Sequence, residues 1–449
     1  MQLTDHQRTE LGKATRGNIG LLVGFPGTGK TTAIAEYIRE LQSSGNHGGI
    51  VAAALSSAAA RRLTTKLNLA GIDLEATTIH RMLGYTYAEG FGCFGFNRDN
   101  PLPASHIFID EGSMPSVDLF AHILAARRRN GKVIVCGDTN QVTPIGRGKP
   151  LVDMLDMRLP TGRLTEIHRN AGRVVKCCKL IAEQNRFEFS KDGFDIASIG
   201  SDHDDENLHV DSEWKTPQEQ VAVLKDWLIG SQLFDIDGIA DPIWDVQVIA
   251  PTRKKGSLLS CHSLNPLIQG WLNPDGKQCK GNRFREADKV MCIENGFYSA
   301  APGCPRDVQD DDGKVYVANG NVGRVIETTE RYTIVSFDLP DRIVRFGKTK
   351  SKTADDGDEP TGRLELGYCG TVHKFQGSQA PGIIFVGDES GGSKFVSDRH
   401  LVLTAISRME RACVCVAKPA TLQDWCRKSH LKHRKTFAVE KFHELLVAK

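Results

Sequence analysis

The chain has 449 residues, 40% of them hydrophobic and 25% charged, with a formal net charge of +2. That length is too great for one compact core and predicts about two to four domains at roughly 150 residues each, while the composition excludes a disordered or fibrous chain. Near-neutrality neither supports nor opposes a nucleic-acid partner, which would need a local basic groove. No apolar run approaches the roughly 18 residues of a membrane span, and residues 1–9 are polar and mixed in charge, unlike a signal peptide. The twelve cysteines form no CxxC pair and read as reduced thiols of a cytoplasmic protein. A cluster of Cys261, Cys279, Cys292 and Cys304 matches no metal-site spacing.

In chain order, short apolar runs at 19–25, 50–55, 106–110 and 132–138 alternate with helical or turn-rich stretches. They recur at 246–252, 382–387 and 413–417. Continuous apolar runs of this length fit parallel strands covered on both faces. Two such groups predict two α/β lobes, residues 1–184 and residues 244–300 with 365–449. Between the lobes, 185–243 is acidic at 201–206 and turns helical near 218–228, which predicts a linker with its own helix. Residues 301–364 hold three short strand patterns between charged turns, the expected small inserted β-domain.

The first apolar run leads into Gly24-Phe-Pro-Gly-Thr-Gly-Lys-Thr31 and then a helical stretch. Strand, glycine-rich loop and helix N-terminus together cradle phosphates with backbone N–H groups. Lys30 is expected to reach the β- and γ-phosphates, and Thr31 to hold Mg²⁺. The strand at 106–110 ends in Asp110 and Glu111. Asp110 is expected at the Mg²⁺ and Glu111 as the base that orients and deprotonates the attacking water. Gln141, just past the strand at 132–138, is placed to sense the γ-phosphate.

Nine motifs in order, GFPGTGKTT, TTIH, IDEGSM, GDTNQVTPIG, LTEIHRN, VIAPTR, ANGNVGRV, TVHKFQGSQ and LTAISR, resemble those of the superfamily 1 helicases. They look closest to the RecD and Dda-like branch, which moves 5′→3′ on single-stranded DNA. The resemblance implies two RecA-like P-loop NTPase lobes with parallel sheets, the second having a UvrD-like C-terminal part. It also implies a short β-hairpin pin in the first lobe, about 84–104, and a small SH3-like β-barrel inserted in the second. ATP and Mg²⁺ are the implied cofactors, single-stranded DNA and a duplex fork the implied partners, and a monomer the implied working state. Gln7 falls where the family recognises adenine. Gly27, Thr28, Gly29, Lys30, Thr31 and Thr32 form the phosphate loop, and Gln376 and Gly377 lie in the motif lining nucleotide and DNA. Arg169 and Arg408 match the two arginines that reach the γ-phosphate. Thr78, His80, Thr252, Asn319, Thr371 and His373 fall at positions facing the nucleic acid.

The chain departs from the family at Leu55-Ser56-Ser57, where a Pro-Thr-Gly turn is usual, although Ser57 retains a hydroxyl for a phosphate. Arg253 is a further residue expected to face the nucleic acid, and Lys254-Lys255 just after it are candidate phosphate contacts. The aromatic and glycine-rich run 84–96 suggests a fork-splitting hairpin with Phe91 or Phe94 near its tip; the alternative is that these rings pack the hairpin onto its own lobe. An RNA helicase of the same superfamily and a P-loop NTPase switch that never unwinds are the competing functional readings.

Overall fold

The computed structural model describes residues 3–45, 48–88, 91–166, 172–189, 207–230, 232–337, 341–347 and 363–447. It is an α/β protein with two parallel sheets. The first sheet has six strands, in the order Thr77–Thr78, Ile50–Ala54, His106–Asp110, Lys132–Gly137, Ile19–Gly24 and Thr161–Leu164, all parallel. Its faces carry separate apolar layers, one around Phe120 and Ile109, the other around Phe108 and Ile38. Strands buried on both faces account for the unbroken apolar runs in the sequence.

The second sheet has five parallel strands: Cys369–Thr371, Val246–Ala250, Ala380–Val386, Met409–Val416 and Leu208–Asp211. Apolar layers around Phe385 and Trp425 on one side and Ile384 and Leu264 on the other cover it. Seven antiparallel strands form a further sheet between residues 289 and 366, closed on a core that includes Phe284, Phe337 and Phe346. Residues 85–88 and 91–94 make a two-stranded antiparallel hairpin.

The boundaries differ from those expected of the sequence in four places. The helix Gly172–Gln184, expected in the first lobe, buries Val174, Cys177, Cys178 and Ile181 in the second-lobe core. Residues 208–211, expected in a linker, form an edge strand of the second sheet. The antiparallel sheet starts at Lys289, not near 301. The C-terminal helix Ala438–Val447, expected in the second lobe, crosses back to the first, with Phe442 and Ala438 buried in that lobe's core. Burying a phenylalanine ring contributes ~1.5–3 kcal/mol, which explains why the chain end is held there. Arg434 reinforces this crossing through Thr143 Oγ1 (2.8 Å) and Gly148 O (2.6 Å). These positions depend on which neighbour is available to bury an apolar stripe, which local sequence does not state.

Among the described residues no helix is long and apolar enough to cross a membrane. No group of His, Cys, Asp and Glu there is arranged to hold a metal by itself.

Candidate active site between the lobes

The loop after Ile19–Gly24 turns through Gly27 and Gly29, both with φ near +80°. Only glycine adopts that backbone at little cost, and it turns the chain into the helix Lys30–Ser43. The helix presents Ala33, Ile34 and Ile38 to the core, leaving its N-terminus open to a cleft of about 800 Å³. Gly27, Gly29, Lys30, Thr31 and Thr32 line that cleft. The Lys30 ammonium donates to Gly24 O (2.8 Å) and Phe25 O (2.9 Å). Thr28 is buried behind the loop, its hydroxyl donating to Phe25 O (2.9 Å).

Asp110 and Glu111 enter the same cleft from the end of the third strand of the sheet. Glu111 has φ +52°, a left-handed backbone that costs a non-glycine residue energy. Burial pushes the Asp110 carboxyl up, reinforced by the Glu111 charge beside it. Burial would also raise Glu111, but Arg62, Arg408 and Lys30 outweigh it and hold that carboxyl below its ordinary range. A hard cation relieves the desolvation of Asp110, and oxygen donors from a carboxylate and a threonine suit Mg²⁺.

Arg62 was not anticipated from sequence. Its Nη2 donates to Glu111 Oε1 at 2.8 Å. It projects from the helix Ser57–Leu69, whose other face buries Ala59, Ala60, Leu63 and Leu67. Arg62 and Lys66, four apart on the face away from those residues, both line the cleft. That i, i+4 basic pair opposite an apolar stripe is a signal visible in the sequence.

The second lobe contributes Arg408, only 2% exposed. Its Nη1 lies 3.8 Å from the same Glu111 oxygen, too long for a hydrogen bond, and has no hydrogen-bond partner. Its Nε donates to Thr404 O (3.2 Å). Gln141 lines the cleft with a buried Oε1 that no donor reaches. An unpaired buried donor and an unpaired buried acceptor facing one cleft are unfavourable until a ligand supplies their partners.

The lobes are joined just behind this cleft. Gln376 Nε2 donates to Val142 O (3.1 Å), Val142 N to Thr404 Oγ1 (2.9 Å), and His400 Nδ1 lies 3.0 Å from Asn140 O. Gly377 has φ +78°, and a Cβ there would lie 2.6 Å from Ala59 Cβ. Gln376 and Gly377 therefore belong to the lobe interface, and the nearby glutamine that lines the cleft is Gln379. Gln7 is also outside the lining: its side chain bonds Thr28 O (3.3 Å) and Thr4 N (3.2 Å). Arg169 lies outside the described residues.

Most residues expected to face nucleic acid gather at the carboxyl ends of the parallel strands, where α/β sheets bind ligands. Thr371 ends its strand opposite Ala250, and Thr252 lies two residues past that partner; Thr252 Oγ1 lies 3.1 Å from Ser393 Oγ. His373 is half-buried and burial lowers its pKa. Ser57 opens the helix Ser57–Leu69, but Ser56 is its N-cap. Thr78 caps the helix Ile79–Met82. Asn319 is exposed on the antiparallel sheet's side, its N–H donating to Asn295 Oδ1 (2.8 Å).

Phe94 pairs with Tyr85 at one end of the hairpin ladder, and Phe91 pairs with Ala88 at the other. The Phe94 ring lies 4.4 Å from His122, 5.2 Å from Tyr85 and 6.1 Å from His80. Phe94 and Phe96 also pack against the first-lobe core. Phe94 is thus at the base and not near the tip, and its ring anchors the hairpin to its lobe. Phe94→Ala is expected to cost about 1–3 kcal/mol of stability, less than a fully buried ring, and to lower the melting temperature. An unchanged melting curve would contradict this packing role.

A P-loop loaded onto a helix, two carboxylates at the end of another strand of the same sheet and an arginine from a second parallel-sheet lobe define a two-lobed P-loop ATPase core. An AAA domain family matches residues 2–187, and the UvrD-like helicase C-terminal domain matches residues 366–416. Together with RecD relatives, these two matches support a superfamily 1 helicase of the RecD/Pif1-like group. It is similar to the ATP-dependent RecD2 DNA helicase of Deinococcus radiodurans, 26% identical over 410 residues, covering 90% of this chain and 48% of that protein. It is also similar to the RecBCD enzyme subunit RecD of Mycobacterium tuberculosis, 26% identical over 448 residues, covering 93% of this chain and 70% of that one. The chain thus spans about half the length of the first relative. Bacteroides Pif1 bound to ssDNA shares the fold at 15% identity, with a TM-score of 0.51 over 97% of this chain and 98% of that one.

Proposed function

We propose that this protein is an ATP-dependent DNA helicase that moves 5′→3′ along single-stranded DNA and separates duplex. The observation carrying this reading is that Arg408 of one lobe and Glu111 of the other meet in one cleft, 3.8 Å apart. The charge of Arg408 can then act on a transferring phosphoryl group only while the lobes are together. Glu111, held ionised by its cations, takes the proton of the attacking water, and Gln141 Oε1 orients that water. Thr31 and Asp110 would hold Mg²⁺, which neutralises phosphate charge when bound. Lys30 neutralises the β- and γ-phosphates, and Arg169 is the second arginine of the reading. Gln7 takes the adenine position.

Opening and closing of two lobes that grip a strand converts hydrolysis into stepping. The grip of Ser57, Thr78, His80, Thr252, Arg253, Asn319, Thr371 and His373 on phosphates and bases is independent of sequence and sensitive to salt. The hairpin 85–94 serves as the fork-splitting pin, with Phe91 nearest its turn, and the antiparallel sheet as an SH3-like insertion. The enzyme acts as a monomer in the cytoplasm. The test is ATP hydrolysis with and without single-stranded DNA or RNA, and strand displacement on duplexes with 5′ or 3′ tails. Strong stimulation by DNA and displacement of 5′-tailed duplexes only are expected. Stimulation by RNA alone would replace DNA with RNA as the track, and hydrolysis without displacement would make the protein a switch.

A further inference from the structure

On the face where the second-sheet strands end, one carboxylate is shared by two cations. Glu365 pairs through Oε1 with Arg253 Nη2, and its Oε2 accepts from Lys374 Nζ at 3.0 Å. The three residues come from three places. Arg253 follows Val246–Ala250, and Lys374 follows Cys369–Thr371, the adjacent strand in register with it. Glu365 belongs to Leu364–Leu366, the edge strand of the antiparallel sheet, opposite Met291. Arg253 is more than half exposed, and Lys374 and Glu365 are about a quarter and a fifth exposed.

We propose that Glu365 is a built-in competitor for the nucleic-acid backbone, occupying the seat between Arg253 and Lys374 that a strand phosphate takes. The inference rests on the helicase reading above. A carboxylate bridging two cations offers the same paired anionic oxygens as a phosphodiester. Arg253 sits beside Thr252, and Lys374 beside His373, so both cations lie among the residues assigned to the strand. Burial and the charge of Arg253 lower Lys374 to about 8, so a nearby anion favours its charged form. Glu365 supplies that anion between encounters and surrenders it to the strand. A grip that is partly paired internally releases its track more readily, which suits a motor that must let go at each step.

The test is Glu365→Gln, measured by fluorescence polarisation with a labelled oligo-dT across a salt series. The net charge of the seat rises by one, so affinity should tighten about three- to ten-fold. The slope of log K against log salt should steepen by about 0.7, one additional counterion released from a single strand. Adding Arg253→Ala should remove the gain. Unstimulated ATP hydrolysis and melting temperature should stay near wild type, because Glu365 lies outside the ATP cleft. Weaker binding by Glu365→Gln would overturn the proposal by making Glu365 a support for the cations. Unchanged affinity and slope, with wild type binding oligo-dT normally, would also overturn it while leaving the helicase reading intact. Failure of wild type to bind oligo-dT would instead overturn that reading.

Discussion

Glu111→Gln is expected to lower turnover by about 10³ at saturating ATP and single-stranded DNA, while equilibrium nucleotide affinity stays within a few-fold of wild type. The amide keeps the size of the carboxylate and can still orient a water, but it cannot accept the proton. The pH dependence supplies a second reading of the same group. Burial raises the Glu111 carboxyl, but Arg62, Arg408 and Lys30 together hold it below its ordinary range. The base is therefore ionised down to low pH, and the acid limb of turnover lies below the usual glutamate range. Arg62→Gln removes the cation at 2.8 Å, so Glu111 should bind its proton more readily and the limb should move toward neutral pH. Arg62→Lys should restore part of the original profile. Turnover of Glu111→Gln near that of wild type would exclude Glu111 as the base. A coincident acid limb in Arg62→Gln would exclude Arg62 as its positioning residue.

Arg408→Ala is expected to reduce catalysis by about 10³-fold or more, the effect of removing an arginine aimed at a transferring phosphoryl group, with a much smaller loss of nucleotide affinity. The guanidinium is already desolvated at 2% exposure, and its Nη1 has no hydrogen-bond partner. It therefore contributes most when negative charge develops in front of it, in the transition state. Lysine should substitute poorly, because a point charge lacks the planar fork that can hold Thr404 O and a phosphate oxygen together. Steady-state hydrolysis beside equilibrium binding of a nucleotide separates the cases. Equal losses in both would make Arg408 a ground-state ligand.

Local sequence carried what depends on local sequence. The phosphate loop was legible because its glycines, its lysine and the helix after it are consecutive. The Asp110-Glu111 pair was legible because an apolar run announces the buried strand that presents it. The same reasoning located the inner strands of both parallel sheets, whose two covered faces leave unbroken apolar runs.

Tertiary structure alone decided which segments meet. Short edge strands such as Leu208–Asp211 are covered by neighbours on one side only and leave little pattern. The helix Gly172–Gln184 carries an apolar stripe that either lobe could bury, and only packing assigned it to the second. The helix Ala438–Val447 packs on the first lobe, where Ala438 and Phe442 are buried. The Arg62–Glu111 pair and the seat of Glu365 between Arg253 and Lys374 join residues separated by 49, 112 and 9 positions. Ion pairs at such separations are set by where the sheets bring their strand ends together, and composition and periodicity along the chain do not encode that distance.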